Sequence, residues 1–271
     1  MRFESNSCDF STGRRTLDTA MLSPLAATVS AGIGLAGAAG LAVGGFAYAS
    51  VWPTSQIFGR TLTAPRRPNE LALTFDDGPN PAWTPRLLDI LAEHGVHGTF
   101  FMLGKFAQSE PALVRQIAGA GHLIGNHSWN HPNLARTAAN QVREQLQKTS
   151  DTLQQITGKP IRFFRPPYGA RRPAVLRIAR ELGLSPVTWN AMTDDWAEPS
   201  TDRIAASLVT KIDRNQQRGL GTNIVLHDGG HRGLGANRGP SVHAAEQLLR
   251  RYSSSHQFVT LDTWAPDAVT V

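Results

Sequence analysis

Short apolar runs alternate with helix-like segments along most of the chain, and this alternation is the feature that most constrains its fold. The runs expected to be strands are Leu71–Phe75, Gly98–Leu103, Leu123–Gly125, Ile161–Phe164, Pro186–Trp189, Asn223–Leu226 and Gln257–Leu261. The segments expected to be helices are Pro85–His94, Pro111–Ala120, Ala139–Thr157, Ala174–Leu182, Asp202–Gln217 and Val242–Tyr252. Strands that alternate with helices form a parallel sheet. About seven of them predict an α/β fold whose sheet is a distorted, incomplete (β/α) barrel rather than an open sheet.

Two adjacent carboxylates, Asp76 and Asp77, directly follow the first apolar run and precede Gly78-Pro79. The carboxyl ends of strands are where α/β folds place their chemistry. Because neighbouring strand residues point to opposite faces, the two acids could serve different roles, such as metal ligand and proton acceptor. Taken alone, the same residues would equally suit an ordinary turn.

Two histidines, His127 and His131, follow the third apolar run at a spacing of four residues. On a helical turn this spacing places both imidazoles on one face, close enough to bind one metal ion. Two imidazoles and a carboxylate leave coordination positions open for water and substrate, which suits catalytic zinc or a similar divalent ion. A single such pair is more often solvent-exposed than metal-bound, so the prediction depends on the neighbouring Asp pair.

Three further polar clusters come just after apolar runs. They are Arg165-Pro166-Pro167-Tyr168-Gly169, Asp194-Asp195-Trp196 and His227-Asp228-Gly229. Each has an ordinary structural explanation: a capped turn, a solvated acidic loop, or a histidine that ends a strand. Five such clusters in steady strand–helix alternation are expected to meet at one end of a parallel sheet.

In this order, the clusters resemble the motifs of polysaccharide deacetylases with a NodB homology domain, carbohydrate esterase family 4. The motif TFDDGP is present as Thr74–Pro79, H-[ST]-x-x-H as His127–His131, R-x-P-Y-G as Arg165–Gly169, and Leu-His-Asp as Leu226–Asp228. The fourth motif, D-x-x-D-W, keeps Asp195 and Trp196 but has Met192 in place of its first Asp. The resemblance covers roughly residues 68–262 and implies the same incomplete barrel.

The resemblance also implies a role for each conspicuous polar residue. Asp77, His127 and His131 would hold one divalent metal ion, with zinc expected and cobalt or nickel as alternatives. Such an ion acidifies bound water and polarises a carbonyl group. The resemblance further implies that Asp76 is the general base, oriented by the cation Arg165, and that the backbone N–H of Tyr168 donates to the oxyanion. It implies that His227 is the general acid and that Asp195 is the carboxylate that keeps His227 charged. Leu226 and Trp196 would form the walls of an acetyl pocket.

The implied activity is removal of N-acetyl groups from N-acetylglucosamine residues of a cell-envelope or chitin-like polysaccharide. Removal of O-acetyl groups from xylan, an activity within the same family, is the first alternative. Two His and one carboxylate also occur in non-haem iron oxygenases, but such an enzyme would leave Asp76, Arg165 and His227 without roles. The third alternative is a glycan-binding domain without catalysis, which the presence of base, acid and all three ligands argues against.

Composition sets only broad limits. The 27 Lys and Arg against 21 Asp and Glu give a net charge of +6, a modest excess for 271 residues. No basic stripe, array of stacking aromatics or zinc knuckle is present, so no nucleic-acid partner is expected. The single cysteine, Cys8, excludes an intramolecular disulfide.

The N-terminal part of the chain differs in composition from the rest. Residues 25–49 are mostly Ala, Gly, Leu and Val, and no charged residue lies between Asp18 and Arg60. This segment is long enough to cross a bilayer as a helix or to act as the apolar core of a signal peptide. We therefore predict a polar region at 1–24, this apolar segment at 25–49, a linker at 50–67 and a catalytic domain at 68–271, in a cell-envelope protein that is membrane-anchored or exported. The arginines on both sides of the segment leave its orientation undecided. His231 is expected to be a solvated loop residue, with contact to the substrate as the alternative.

Overall fold

The computed structural model describes residues 44–265. Its strands are β1 (Glu70–Gly78), β2 (Thr99–Met102), β3 (Leu123–Asn126), β4 (Phe163–Phe164), β5 (Ser185–Pro186), β6 (Ala191–Met192), β7 (Thr222–His227) and β8 (Gln257–Phe258). The helices between them are α1 (Thr84–Glu93), α2 (Gly104–Ser109), α3 (Pro111–Gly119), α4 (Ala139–Thr157), α5 (Pro173–Glu181), α6 (Thr201–Gln217) and α7 (Gly239–Tyr252).

The strands form one parallel sheet in the order β5-β4-β3-β2-β1-β7-β6, with β8 paired to the first two residues of β1. The sheet curls into a half-barrel with helices packed outside it, so the predicted incomplete (β/α) barrel is confirmed. The predicted strand Pro186–Trp189 is mostly irregular, because only Ser185 and Pro186 pair with β4. Val187 instead forms a bridge with Leu62.

Alternation along β1 divides the buried residues between two layers. Leu71, Leu73 and Phe75 face outward into the large apolar core shared with the helices. Ala72 faces the barrel interior, where a second cluster fills the bottom; its members are Ala72, Phe101, Phe163, Val187, Val259 and Leu261. The barrel is therefore closed by packed side chains below, and the polar residues of β1 and β7 lie above this plug.

Residues 50–67, predicted to be a linker, pack against the catalytic domain. The buried guanidinium of Arg171 donates to the carbonyl oxygens of Trp52 at 2.7 Å and Ser55 at 2.8 Å. The backbone N–H of Leu62 donates to Pro186 O at 2.8 Å, and Thr188 N–H donates to Leu62 O at 2.9 Å. This segment therefore adds backbone hydrogen bonds beside β5, at the end of the sheet.

The predicted apolar segment 25–49 lies outside the described residues up to position 43, and so does Cys8. A helical stretch in the described part ends at Val51. Among residues 44–265, no helix combines the length and apolar character needed to cross a membrane.

Candidate active site

The carboxyl ends of the parallel strands meet at one rim, where they surround a cleft of about 630 Å³. Every polar cluster singled out in the sequence contributes to this cleft. The predicted site residues that line it are Asp76, Asp77, His127, His131, Tyr168, Trp196 and His227. Arg165 and Asp195 lie directly behind this lining, while Leu226 does not reach it.

Both adjacent carboxylates point into the cleft, although strict strand alternation would separate them. The pairing of β1 with β2 skips a residue between Asp76 and Gly78, and Asp77 adopts a left-handed φ of 70°. This bulge turns the Asp77 side chain to the same side as Asp76. Gly229 packs on the bulge so closely that a Cβ there would lie 2.1 Å from Asp77 O, so only glycine fits.

The two histidines lie in a loop, and the predicted helical turn is wrong. Residues 127–131 carry no helix, and Ser128 and His131 have left-handed φ values of 70° and 65°. Side-chain hydrogen bonds support this backbone: Ser128 N–H donates to Asn126 Oδ1 at 2.8 Å, and His131 N–H donates to Ser128 Oγ at 3.2 Å. The imidazoles still converge, with ring centres 5.0 Å apart, because the loop folds back on itself.

Asp77, His127 and His131 offer three ligand atoms within 4.8 Å of one another. Asp77 Oδ1 lies 3.6 Å from His127 Nε2 and 3.4 Å from His131 Nε2. The His127 Nδ1–H donates to Arg165 O at 2.8 Å, since a carbonyl can only accept, and this leaves Nε2 unprotonated for a metal. Asp77 Oδ1 is buried and has no hydrogen-bond partner among the described residues. A buried carboxylate oxygen between two imidazole nitrogens fits a divalent cation.

Electrostatics keep His131 and Asp77 in the protonation states that a metal requires. Burial, followed by the neighbouring His127, lowers the pKa of His131 to about 3, although the charge of Asp77 opposes this. Burial raises the pKa of Asp77, but His231 at 3.6 Å from its Oδ2 and the other surrounding imidazoles lower it well below its usual range. A neutral imidazole and an ionised carboxylate are the metal-binding forms of these residues.

Arg165 lies fully buried in the barrel interior, directly beneath the cleft. Its Nη1 donates to Asp76 Oδ1 at 2.8 Å and to Thr74 Oγ1 at 2.7 Å, and its Nη2 donates to Asn223 Oδ1 at 3.2 Å. Burial lowers the pKa of Arg165, while the charge and hydrogen bond of Asp76 raise it. Asp76 Oδ1 is thus held by Arg165, and Oδ2 lies 3.9 Å from His127 Nε2, beside the metal-ligand set.

Beside Asp76, at the end of the neighbouring strand β7, His227 is paired with Asp195. The His227 Nδ1–H donates to Asp195 Oδ1 at 2.8 Å, and the backbone N–H of His227 donates to Asp195 Oδ2 at 2.8 Å. Burial lowers the pKa of His227, but the charge and hydrogen bond of Asp195, with smaller contributions from Asp77 and Asp76, raise it to about 9. The imidazole is therefore charged at neutral pH and can donate a proton from Nε2.

The apolar lining differs from the expected one. Leu226 is fully buried in the outer core, whereas its neighbour Val225 lines the cleft. The cause is strand alternation: His227 faces the cleft, so Val225 faces it too and Leu226 faces the helices. Trp196 lies edge-on to His227 with ring centres 5.2 Å apart. Met192, at the position where the fourth motif has its first Asp, also lines the cleft.

His231 lies in a partly exposed loop, as predicted, and it also lines the cleft. Its Nδ1 lies 3.6 Å from Asp77 Oδ2, and its ring stacks on His131 with centres 4.4 Å apart. The sequence signal was its position four residues beyond His227 in a glycine-rich loop at the end of an apolar strand. Trp189 and Val225 also line the cleft, which the sequence did not predict.

Comparison with known proteins agrees with this geometry. The family model described as polysaccharide deacetylase matches residues 63–187. The chain is 37% identical to the chitooligosaccharide deacetylase of Azorhizobium caulinodans over 174 residues, which are 64% of this chain and 80% of that protein. The chain belongs to the polysaccharide deacetylase family.

Other members of the polysaccharide deacetylase family match over a similar range. A peptidoglycan-N-acetylglucosamine deacetylase of Bacillus cereus is 33% identical over 204 residues, 74% of this chain and 90% of that protein. The crystal structure of the Bc1960 peptidoglycan N-acetylglucosamine deacetylase, in complex with 4-naphthalen-1-yl-N-oxidanyl-benzamide, superposes with a TM-score of 0.68 and 34% identity; the match covers 75% of this chain and 91% of that one. This polysaccharide deacetylase is accordingly a hydrolase of a metal-dependent family. Residues 50–62, which pack beside β5, lie outside the family match.

Proposed function

We propose that this polysaccharide deacetylase uses a divalent metal ion to remove N-acetyl groups from N-acetylglucosamine residues of a cell-envelope or chitin-like polysaccharide. The observation that carries the proposal is the convergence of Asp77, His127 and His131 beside Asp76, whose carboxylate is held by Arg165. The cleft can thus hold a cation and accept a proton at Asp76, and His227, at the end of the adjacent strand β7, can donate one.

The motif residues around the cleft have proposed tasks in amide hydrolysis. Asp77, His127 and His131 would hold the ion, which when bound acidifies water and polarises the acetyl carbonyl. Asp76 Oδ2, which Arg165 leaves free, takes the proton of the attacking water. His227, charged through its pair with Asp195, gives a proton to the departing amine. The backbone N–H of Tyr168 would donate to the oxyanion.

The lining of the cleft supports an acetylated sugar as substrate. Val225, Met192 and Trp189 provide apolar surface of the kind that an acetyl methyl group requires. Tyr168 and Trp196 are 53% and 45% exposed at the mouth, where aromatic faces can pack against a sugar ring. The relatives act on chitooligosaccharide and on peptidoglycan N-acetylglucosamine, as their names state. We infer from these substrates that the enzyme works in the cell envelope.

Acetate release from defined substrates tests the proposal. The full chain would be treated with a chelator and then reloaded with Zn²⁺, Co²⁺ or Ni²⁺, and offered N-acetylglucosamine oligomers, peptidoglycan and acetylxylan. We expect acetate from the first two, loss of it on chelation and recovery with metal. His131→Ala should abolish metal binding, and Asp76→Asn should keep the metal but lose the activity.

The matched control is His243→Ala, since His243 is exposed on α7 and does not line the cleft. This variant should behave as the wild type. Activity that survives chelation, or a His131→Ala variant that binds metal as well as the wild type, would refute the proposed metal site. If acetylxylan is the one substrate that releases acetate, the enzyme acts on O-acetyl esters and not on N-acetyl groups.

A further inference from the structure

His231 occupies a position beside the metal-ligand set for which the motifs give no role. It lies in the loop that follows β7, and 35% of its side chain is exposed. Its ring is nearly parallel to that of His131, with a tilt of 12°. Its Nδ1 faces Asp77 Oδ2 at 3.6 Å. The side chain therefore contacts two of the three proposed ligands at once.

The loop that carries His231 is attached to the rest of the rim on both sides. The Nζ of Lys105, in the first turn of α2, donates to His231 O at 2.9 Å. The Lys105 backbone N–H in turn donates to Trp129 O, within the loop between His127 and His131, at 3.1 Å. Arg238 Nε donates to Gly229 O at 2.5 Å on the other side. These bonds hold the His231 backbone over the metal-ligand set.

The two oxygens of Asp77 have different surroundings. Oδ1 lies within 3.6 Å of both ligand imidazoles and has no hydrogen-bond partner in the described chain. Oδ2 faces His231. A carboxylate can rotate about its Cβ–Cγ bond, so a donor on one oxygen decides where the other points.

We propose that His231 is a positioning residue for the metal centre: its Nδ1, 3.6 Å from Asp77 Oδ2, attracts that oxygen and so directs Oδ1 at the cation. This inference rests on the proposed metal site of Asp77, His127 and His131. Partners that orient a ligand in this way raise metal affinity, and their loss typically costs about 10- to 100-fold in affinity. The stacked ring of His231 also limits rotation of the His131 imidazole, which adds to the same effect.

Metal affinity, measured on the full chain with Zn²⁺ alone against a chromogenic chelator, tests this role without any substrate. His231→Leu removes the donor and keeps an apolar side chain of comparable size. His231→Asn keeps an N–H donor close to the position of Nδ1. We expect His231→Leu to lose about 10- to 100-fold in Zn²⁺ affinity and His231→Asn to retain most of the wild-type value. The exposed His243→Leu is the matched control and should bind as the wild type does.

Thermal unfolding of the apo proteins would show that the variants are folded before their affinities are compared. Equal Zn²⁺ affinity of His231→Leu and the wild type would overturn the inference, and so would an equal loss in His231→Asn and His231→Leu. Failure of the proposed function looks different: the wild type itself, or His131→Ala relative to it, would then show no specific Zn²⁺ binding. The absorption spectrum of the Co²⁺ forms gives a second readout, because a positioning residue changes affinity while leaving the set of three ligands in place.

Discussion

The pair formed by His227 and Asp195 makes a sharp prediction about the pH dependence of catalysis. The rise of the His227 pKa from 6.5 to about 9 corresponds to about 3 kcal/mol in favour of the imidazolium, at about 1.4 kcal/mol for each pKa unit. Asp195→Asn removes the charge that contributes most to this rise, while the burial that lowers the pKa remains. We therefore expect the pKa of His227 in the variant to fall to 6.5 or below.

If His227 must be charged to protonate the leaving amine, activity is present below its pKa and lost as the pH rises through it. The wild type should keep its activity at pH 8, and Asp195→Asn should lose about tenfold or more there. The rate of acetate release, measured against pH, gives the alkaline pH at which activity falls. NMR titration of the His227 imidazole measures its pKa directly. A bound cation opposes the contribution of Asp77, so the NMR titration is made on apo and metal-loaded protein. Acetate release is measured on the metal-loaded enzyme, whose activity should fall at a pH below 9.

The contribution of the charged His227 to folding stability should also decrease as the pH rises. A pKa raised in the folded state stabilises the protein fully below pH 6.5, and this contribution is lost as the pH rises through about 9. The difference in unfolding free energy between wild type and Asp195→Asn should therefore shrink over that interval. Asp194→Asn is the matched control, because it makes the same chemical change on an exposed neighbour. If the acetate release of Asp194→Asn and that of Asp195→Asn fall at the same alkaline pH, the reasoning is refuted.

Two further predictions concern packing around the site. Arg171→Leu removes hydrogen bonds to the carbonyls of Gly169, Trp52 and Ser55. We expect it to lower the free energy of urea unfolding by about 3 kcal/mol and to speed backbone hydrogen exchange in residues 50–62. Arg172→Leu, which loses one bond to Thr137 O, should change stability little, and an equal loss of stability in the two variants would contradict the prediction. Leu226→Ala should lower the free energy of unfolding by about 2–5 kcal/mol, whereas Val225→Ala should mainly raise KM for the acetylated sugar. A larger increase in KM for Leu226→Ala than for Val225→Ala would mean that Leu226, not Val225, lines the cleft.

The chemistry of the site could be predicted from the sequence because each motif follows a strand. Parallel strands bring their carboxyl ends to one rim, so the Asp pair, the two histidines, Arg165 and His227 were expected to meet, and they do. Their proximity needed only the strand–helix alternation, which the period of the apolar residues reveals. The roles proposed for them as base, acid and ligands come from the family resemblance and stay predictions until the variants are measured.

Side-chain direction at the rim could be predicted only in part. Strand alternation correctly separates Val225 from Leu226 once His227 is known to face the cleft, but the motif by itself assigned the wall to Leu226. The bulge at Asp77 and the left-handed residues Ser128 and His131 break the local periods on which such reasoning depends. The bulge is held by the close packing of Gly229, distant in sequence, on Asp77. The loop is held by side-chain hydrogen bonds from Ser128 N–H to Asn126 and from His131 N–H to Ser128.

By itself, then, the sequence determined the parallel α/β barrel, the order of the motifs and the kinds of groups around the cleft, because these depend on local hydrophobic periods and on strand polarity. Only the tertiary structure decided that His231 stands over Asp77 and His131, that Arg171 ties residues 50–67 to the Tyr168 loop, and that Asp76 and Asp77 face the same way. These features arise from contacts between distant segments and from irregular backbone, and neither leaves a periodic signal in the chain.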